Sequence, residues 1–271
     1  MSKSGSFISF PEGYLGVRPQ KFDLIADNEA FFAIAKPAGM ACFQHEWSLG
    51  RPDISMALRR ELLNGKPQLQ RLGMKGLFRI NSLDAEESGV LMYAKTVAAE
   101  ESMKNAVGSR ALTFIYHLLV DNKSGERELY CDLPIAKHFN ESRMLVSHKT
   151  GKKCDTAFKF LRNFGHGFEL WEASTSYSRI HQVRLHAAES DLSIAGESIY
   201  SNGEKIYLSS LKKGFRGNRA REYPIYDALA LHLVQVEFGG DFSAYPSVTA
   251  PLPGKFASLL KHLEGAGGRK W

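Results

Sequence analysis

Apolar residues along the chain fall in short runs punctuated by Gly, Pro and Asn, a spacing that predicts more strands than helices. Phe31 to Ile34 reads as a strand that Lys36-Pro37-Ala38-Gly39 stops with a turn. Asp53 to Leu63 follows helical spacing, with Ile54, Leu58 and Leu62 on one face, Asp53 as N-cap and Asn64-Gly65 as the stop. Gly76 to Ile80 and Val90 to Ala94 read as strands on either side of a polar loop, Asn81 to Gly89. A helix over Ala98 to Val107 precedes Leu112 to Val120, an apolar run that predicts a strand buried on both faces and contains Tyr116.

From Asp121 to Asp155 the pattern breaks into short pieces, as expected of surface hairpins. Thr156 to Leu161 and Phe168 to Ala173 then read as paired strands, Ser178 to Glu189 as a helix, and Ala228 to Phe238 as a last strand ending at Gly239-Gly240. Met1 to Gln20 is expected to be loose. The tail from Asp241, with Pro246, Pro251, Pro253 and a short helix over Lys255 to Leu263, reads as an appendage.

No repeat or linker divides the chain, so the expected layout is an N-terminal segment over 1–25, one domain over 26–240 and a C-terminal extension over 241–271. The expected fold class is α+β, with a mixed, largely antiparallel central sheet and flanking helices.

Composition adds limits. A chain that is 44% hydrophobic has ample material for a core, and its net charge of +6 favours a polyanionic partner without requiring one. Cys42, Cys131 and Cys154 are far apart and form no CxxC pair, so neither a disulfide framework nor a zinc site is predicted and a reducing cytoplasm fits. No signal-peptide core or membrane-length apolar stretch is present, so a soluble protein away from membranes is expected.

Three clusters could carry chemistry. The first is the loop Asn81 to Gly89 around Asp84; such loops are ordinarily just solvated, but loops on a rigid sheet are also where sites concentrate. The second is Arg179 to His186, with Glu189 beyond it. His181 and His186 are five residues apart and would lie on different helical faces, which favours a basic surface or a positioned ion pair over a metal site. The third is Tyr116, which on its own reads as a core aromatic. Phosphate-loop, nucleophile-elbow and HExxH patterns are all missing, so no nucleotide cofactor or common hydrolytic mechanism is predicted.

Taken in order, these clusters resemble the RluA-like pseudouridine synthases from about Phe31 to Phe238. Phe32 to Met40 looks like the family's strand running into Lys-Pro-x-Gly. Leu83, Asp84, Ser88, Gly89, Ala94 and Lys95 match its His-Arg-Leu-Asp-x-x-Thr-Ser-Gly stretch and the following Ala-Lys. Phe114-Ile115-Tyr116 stands at its Lys-x-Tyr, Arg179 to His186 at its Gly-Arg-Thr-His-Gln-Ile-Arg-Val-His, and Ile194 to Tyr200 at its Ile-x-Gly-Asp-x-x-Tyr. Pro134-Ile135, Thr156 and Leu231-His232 match smaller landmarks.

The resemblance implies isomerisation of uridine in rRNA or tRNA, without cofactor or metal, with the catalytic cleft across the middle of the sheet; a monomer is expected. Asp84 would be the catalytic carboxylate, attacking the sugar or assisting its deprotonation. Tyr116 would pack on the uracil, and Arg184 would pair with Asp84. Lys36, Lys95, Arg179, His181 and Gln182 would contact RNA. The chain departs from the family pattern at Asn81-Ser82 in place of His-Arg, at Glu87 in place of Thr, which adds negative charge beside Asp84, at Phe114 and at Ser178. Two other readings therefore stand beside the active synthase: a catalytically degenerate RNA-binding relative, and an unrelated Asp-dependent hydrolase such as a glycosidase, which would need a second placed acid.

Overall fold

A computed structural model describes residues 7–121, 125–203, 205–212 and 214–267. In chain order the elements are β1 (Phe7–Phe10), β2 (Gln20–Asp27), β3 (Phe31–Lys36), α1 (Ile54–Leu63), α2 (Pro67–Gln70), β4 (Phe78–Arg79), β5 (Ser88–Ala94) and α3 (Val97–Gly108). There follow β6 (Leu112–Val120), β7 (Glu128–Cys131), β8 (Ile135–Lys137), β9 (Met144–Val146), β10 (Thr156–Gly165), β11 (Phe168–Thr175) and α4 (Gln182–Glu189). The chain closes with α5 (Leu208–Leu211), β12 (Leu231–Phe238), β13 (Val248–Thr249) and α6 (Gly254–Gly267). This is the predicted α+β class on a largely antiparallel sheet.

Two compact units share the chain. The first holds residues up to Phe114, Ser176–Ile180 and Leu233–Pro251; the second holds Ile115–Thr175, His181–His232 and the residues from Leu252 onward. Strands β6 and β12 each begin in one unit and end in the other.

In the first unit β1, β2, β3 and β5 pair antiparallel in that order, and β4 also pairs with β5. The register of β3 against β5 runs from Phe31 opposite Ala94 to Lys36 opposite Gly89, so Lys36 stands where the polar loop rejoins the sheet. Every residue of β5 is buried, as are most of β3. Asp53 caps α1 by accepting the Met56 amide at 2.9 Å, as predicted.

The segment expected to be loose is not loose over its described part: Ile8 and Phe10 of β1 are buried, and Phe10 packs on Phe22 of β2 at 5.4 Å between ring centroids. Residues 1–6 lie outside the described residues.

In the second unit β11, β10 and β7 pair antiparallel, and β8 pairs with β9. The tail helix is no appendage. Phe256, Leu259 and Leu263 of α6 are buried in one cluster with Leu119, Phe164, Ile206, Leu211 and Tyr226, because their spacing gives α6 a single apolar stripe. Helix α4 is shorter than its pattern suggested, starting at Gln182, because His181 has φ +56° in the left-handed region and cannot continue a helix backwards. Among the described residues no helix is long and apolar enough to cross a membrane.

Candidate active site

The loop before β5 is held at almost every residue. Asn81 replaces a missing stretch of ladder: its side-chain amide donates to the Val90 carbonyl and its carbonyl accepts the Met92 amide, both at 2.9 Å. The Cys42 thiol donates to the Leu83 carbonyl at 3.3 Å and accepts the Leu83 amide at 3.4 Å. Burial pushes this thiol's pKa up, against the pull of the Lys36 ammonium, so it is a protonated strut. Asp84 follows, 8% exposed, with its amide donating to Glu87 Oε2 at 3.0 Å while the Glu87 amide donates back to the Asp84 carbonyl at 3.2 Å.

Beneath this turn lies Lys36, only 2% exposed. Its Nζ donates to the carbonyls of Glu87 (2.5 Å), Asp84 (3.0 Å), Pro37 (3.2 Å) and Ala85 (3.3 Å). An ammonium has three protons for these four oxygens, so at least one is shared. Burial lowers the Lys36 pKa, and the surrounding Cys42, Glu87, Asp84 and Glu86 act against that shift.

Lys36 was expected to meet phosphate; it is instead the buried post around which the Asp84 loop is wound. Lys95, expected in the same role, is likewise buried, with Nζ 2.5 Å from Asp27 Oδ1. Glu87, whose charge stands beside Asp84 in the sequence, turns its carboxylate inward onto the loop's own backbone.

Gly89 ends the loop with φ +134°, and a Cβ there would stand 2.3 Å from the Leu233 carbonyl oxygen. Only glycine lets β5 approach that backbone so closely. Gly39 has φ +91° and its amide donates to the Ala85 carbonyl at 2.7 Å, so the Lys-Pro-x-Gly turn and the Asp84 loop are tied together. On the same unit Ser178 Oγ donates to the Ser82 carbonyl and accepts the Ser82 amide, each at 3.2 Å. Arg79 lies over the Phe43 ring at 3.6 Å and Arg51 pairs with Glu86 at 2.6 Å. Arg179 is half-buried, its guanidinium 5.3 Å from the Tyr177 ring.

Tyr116 and Arg184 belong to the second unit, and both are buried. Arg184, on α4, is clamped two-handed by Glu197: Nε to Oε2 at 2.6 Å and Nη2 to Oε1 at 2.9 Å. Glu197 is 1% exposed, and its Oε1 also accepts the Ile199 amide at 2.7 Å. Burial alone would raise the Glu197 pKa, but Arg184 and the amides of Ile199 and Tyr200 outweigh it and hold the carboxyl below the usual range.

His181 and Gln182 were expected at RNA, and both are buried pins. His181 Nδ1 meets the Tyr200 hydroxyl at 2.8 Å, and Gln182 Nε2 donates to the Asp155 carbonyl and to the hydroxyls of Thr156 and Thr175. His186 bonds Thr156 and the Leu133 carbonyl, each at 2.9 Å, so the two histidines serve different partners.

The matching profile of the RNA pseudouridylate synthases covers residues 30–189, more than half of the chain. The chain belongs to the RNA pseudouridylate synthase family. Among curated relatives, ribosomal large subunit pseudouridine synthase D of Neisseria meningitidis serogroup A is 25% identical over 248 residues, 90% of this chain and 62% of that protein. The uncharacterized RNA pseudouridine synthase YlyB of Bacillus subtilis is 26% identical over 259 residues, 92% of this chain and 75% of that protein. Against the first of these the chain therefore spans less than two thirds of the relative's length.

The solved structure of human RNA pseudouridylate synthase domain containing 4 superposes with a TM-score of 0.66 at 20% identity, over 89% of this chain and 92% of that one, which shows the fold. Set against the family pattern, two of this synthase-family chain's departures meet: Ser178 stands at the family's glycine and Ser82 at its arginine, and they bond each other.

The sequence had marked Asp84 and Arg184, but not Cys42, which holds Leu83 beside Asp84, or Glu197, which clamps Arg184. A lone cysteine carries no pattern, and Glu197 lies 13 residues from Arg184, a separation no helical or strand spacing links. The family's acid at the Ile-x-Gly-Asp position was the available signal.

Proposed function

We propose that this protein converts uridine to pseudouridine in RNA, with Asp84 as the essential carboxylate. The carrying observation is the Asp84 backbone, fixed on both sides by the buried Lys36 ammonium and the Glu87 carboxylate in a chain of this family. So thorough a grip on one largely buried loop is the preorganisation a reacting carboxylate needs.

The reaction balances without a cofactor. The N1–C1′ bond of uridine breaks, uracil turns, C5 bonds to C1′, the C5 proton leaves and N1 gains one. Asp84 either attacks C1′ or takes the sugar proton that starts the cleavage; Tyr116 packs on uracil and assists loss of the C5 proton; Arg184 is the motif cation assigned to the carboxylate. A stacked uridine must first be turned out of its helix, at a cost of about a few kcal/mol. Arg179 remains the motif cation for a flanking phosphate. Because the relatives include synthases named for the large ribosomal subunit, its RNA is the proposed substrate.

The test is tritium release from RNA labelled at C5 of uridine, together with mapping of pseudouridine in cells lacking the gene. Loss of one or more large-subunit rRNA sites, and no release by Asp84→Asn while that variant still binds RNA, is expected. One observation favours the degenerate binder instead: the family's arginine beside the catalytic Leu-Asp is Ser82 here, tied down by Ser178. Wild-type protein that binds RNA yet releases no tritium, with every cellular pseudouridine intact, would establish that second reading.

A further inference from the structure

One segment of the second unit holds most of the molecule's excess charge. Lys205 to Tyr223 contains six basic residues and a single acid, Glu222, and so carries five of the chain's six net positive charges. The rest of the sequence is close to neutral, so the chain's basic balance is a property of this segment.

Its base is built into the fold. Ile206 and Tyr226 form an antiparallel bridge, with the Ile206 amide donating to the Tyr226 carbonyl at 2.9 Å and the Ile225 amide to the Ile206 carbonyl at 2.8 Å. Ile206 and Leu211 are buried in the cluster with Tyr226 and Phe256. The one acid is engaged locally, Glu222 Oε1 accepting the Ser209 amide at 2.8 Å.

The cations behave differently. Lys205, Lys212, Arg216 and Arg221 are exposed, and among the described residues none of the four makes an ion pair or a side-chain hydrogen bond. Tyr223 beside them is 88% exposed.

Folding gains nothing from crowding unpaired like charges on one anchored loop, since their mutual repulsion opposes it. A polyanion would be met by cations already projecting into solvent, and phosphate contacts would release its counterions. The exposed Tyr223 ring beside Arg221 adds a stacking platform suited to an unpaired base. A membrane surface suits the segment less well. It would need an apolar face, whereas Ile206 and Leu211 point into the core and α5 is a single turn.

We propose that residues 205–212 and 214–223 are an RNA-contact surface, with Lys205, Lys212, Arg216 and Arg221 taking backbone phosphates and Tyr223 stacking a base. This surface concerns binding alone and holds whether or not Asp84 turns over uridine.

The test measures affinity for a large-subunit rRNA transcript across a salt series. Lys205→Gln, Lys212→Gln, Arg216→Gln and Arg221→Gln combined should reduce the slope of log affinity against log salt by about 3 and weaken low-salt binding roughly 30- to 100-fold. Tyr223→Ala alone should weaken binding about tenfold and leave the slope in place. A control removes four exposed charges elsewhere, Arg18→Gln, Arg59→Gln, Lys75→Gln and Lys261→Gln. An unchanged slope in the loop variant, or a loss no greater than the control's, overturns the proposal. So does a loss seen only with vesicles containing about one third phosphatidylserine. An Asp84→Asn background should give the same slopes, so failure of the isomerase reading and failure of this one are separate results.

Discussion

Ser178 and Ser82, 96 residues apart in sequence, exchange two hydrogen bonds through one hydroxyl, which accepts the Ser82 amide and donates to its carbonyl. The family's glycine at 178 could do neither. Ser178→Gly should therefore loosen the start of the Asp84 loop and reduce stability by about 1 to 2 kcal/mol, from two part-buried bonds and added chain freedom. A urea midpoint measured beside Ser178→Ala separates the two contributions, because alanine loses the bonds without the freedom.

Lys36→Met keeps most of the side-chain volume and removes the ammonium from four carbonyls. Leaving buried acceptors without their donor should lower stability by about 3 kcal/mol. In the fraction that folds, kcat should fall more than tenfold with KM little changed, since Lys36 acts through the Asp84 backbone. A raised KM with kcat unchanged would assign Lys36 to binding.

Gly89→Ala should be among the most damaging single changes in the chain. The residue has φ +134° and its added carbon would sit 2.3 Å from a backbone oxygen that cannot swing aside. Strain and overpacking together are expected to cost about 3 to 5 kcal/mol. Soluble yield and thermal midpoint are the measurements, and a midpoint within a degree or so of wild type would contradict the close β5 approach.

Glu197 gives stability a dependence on acid. Its folded pKa lies below its unfolded value, which is about 4.3, so the Arg184 clamp contributes fully above that pH and is lost as pH falls through the folded value. Urea midpoints should decline below about pH 4.3. Glu197→Gln should be less stable at pH 7 by about 3 kcal/mol, since the bidentate counter-charge of a buried guanidinium is gone, and its decline at low pH should be shallower.

Elements with a strong period were legible. The all-buried β5, the apolar β6, the capped α1 and the helical run of α3 announce themselves through patterns that local physics reads directly. Strand β1 was not legible, because Phe-Ile-Ser-Phe is only four residues long and its alternation means something only once β2 lies alongside. Asp84 could be named because its neighbours carry a motif. Lys36, Lys95, His181 and Gln182, expected at RNA, are instead found buried on the protein's own groups, and sequence reports a polar side chain but not which carbonyls, hydroxyls or carboxylates the fold brings beside it. His181 adds a second reason, since its left-handed backbone depends on tertiary fit and no local pattern predicts it.

The chain passes between the two units at Phe114/Ile115, Thr175/Ser176, Ile180/His181, His232/Leu233 and Pro251/Leu252, twice in mid-strand. No single cut in the gene can release either unit whole. One recombination crossover therefore cannot carry either unit away alone, and a truncation anywhere before Leu233 strips both units of a later segment.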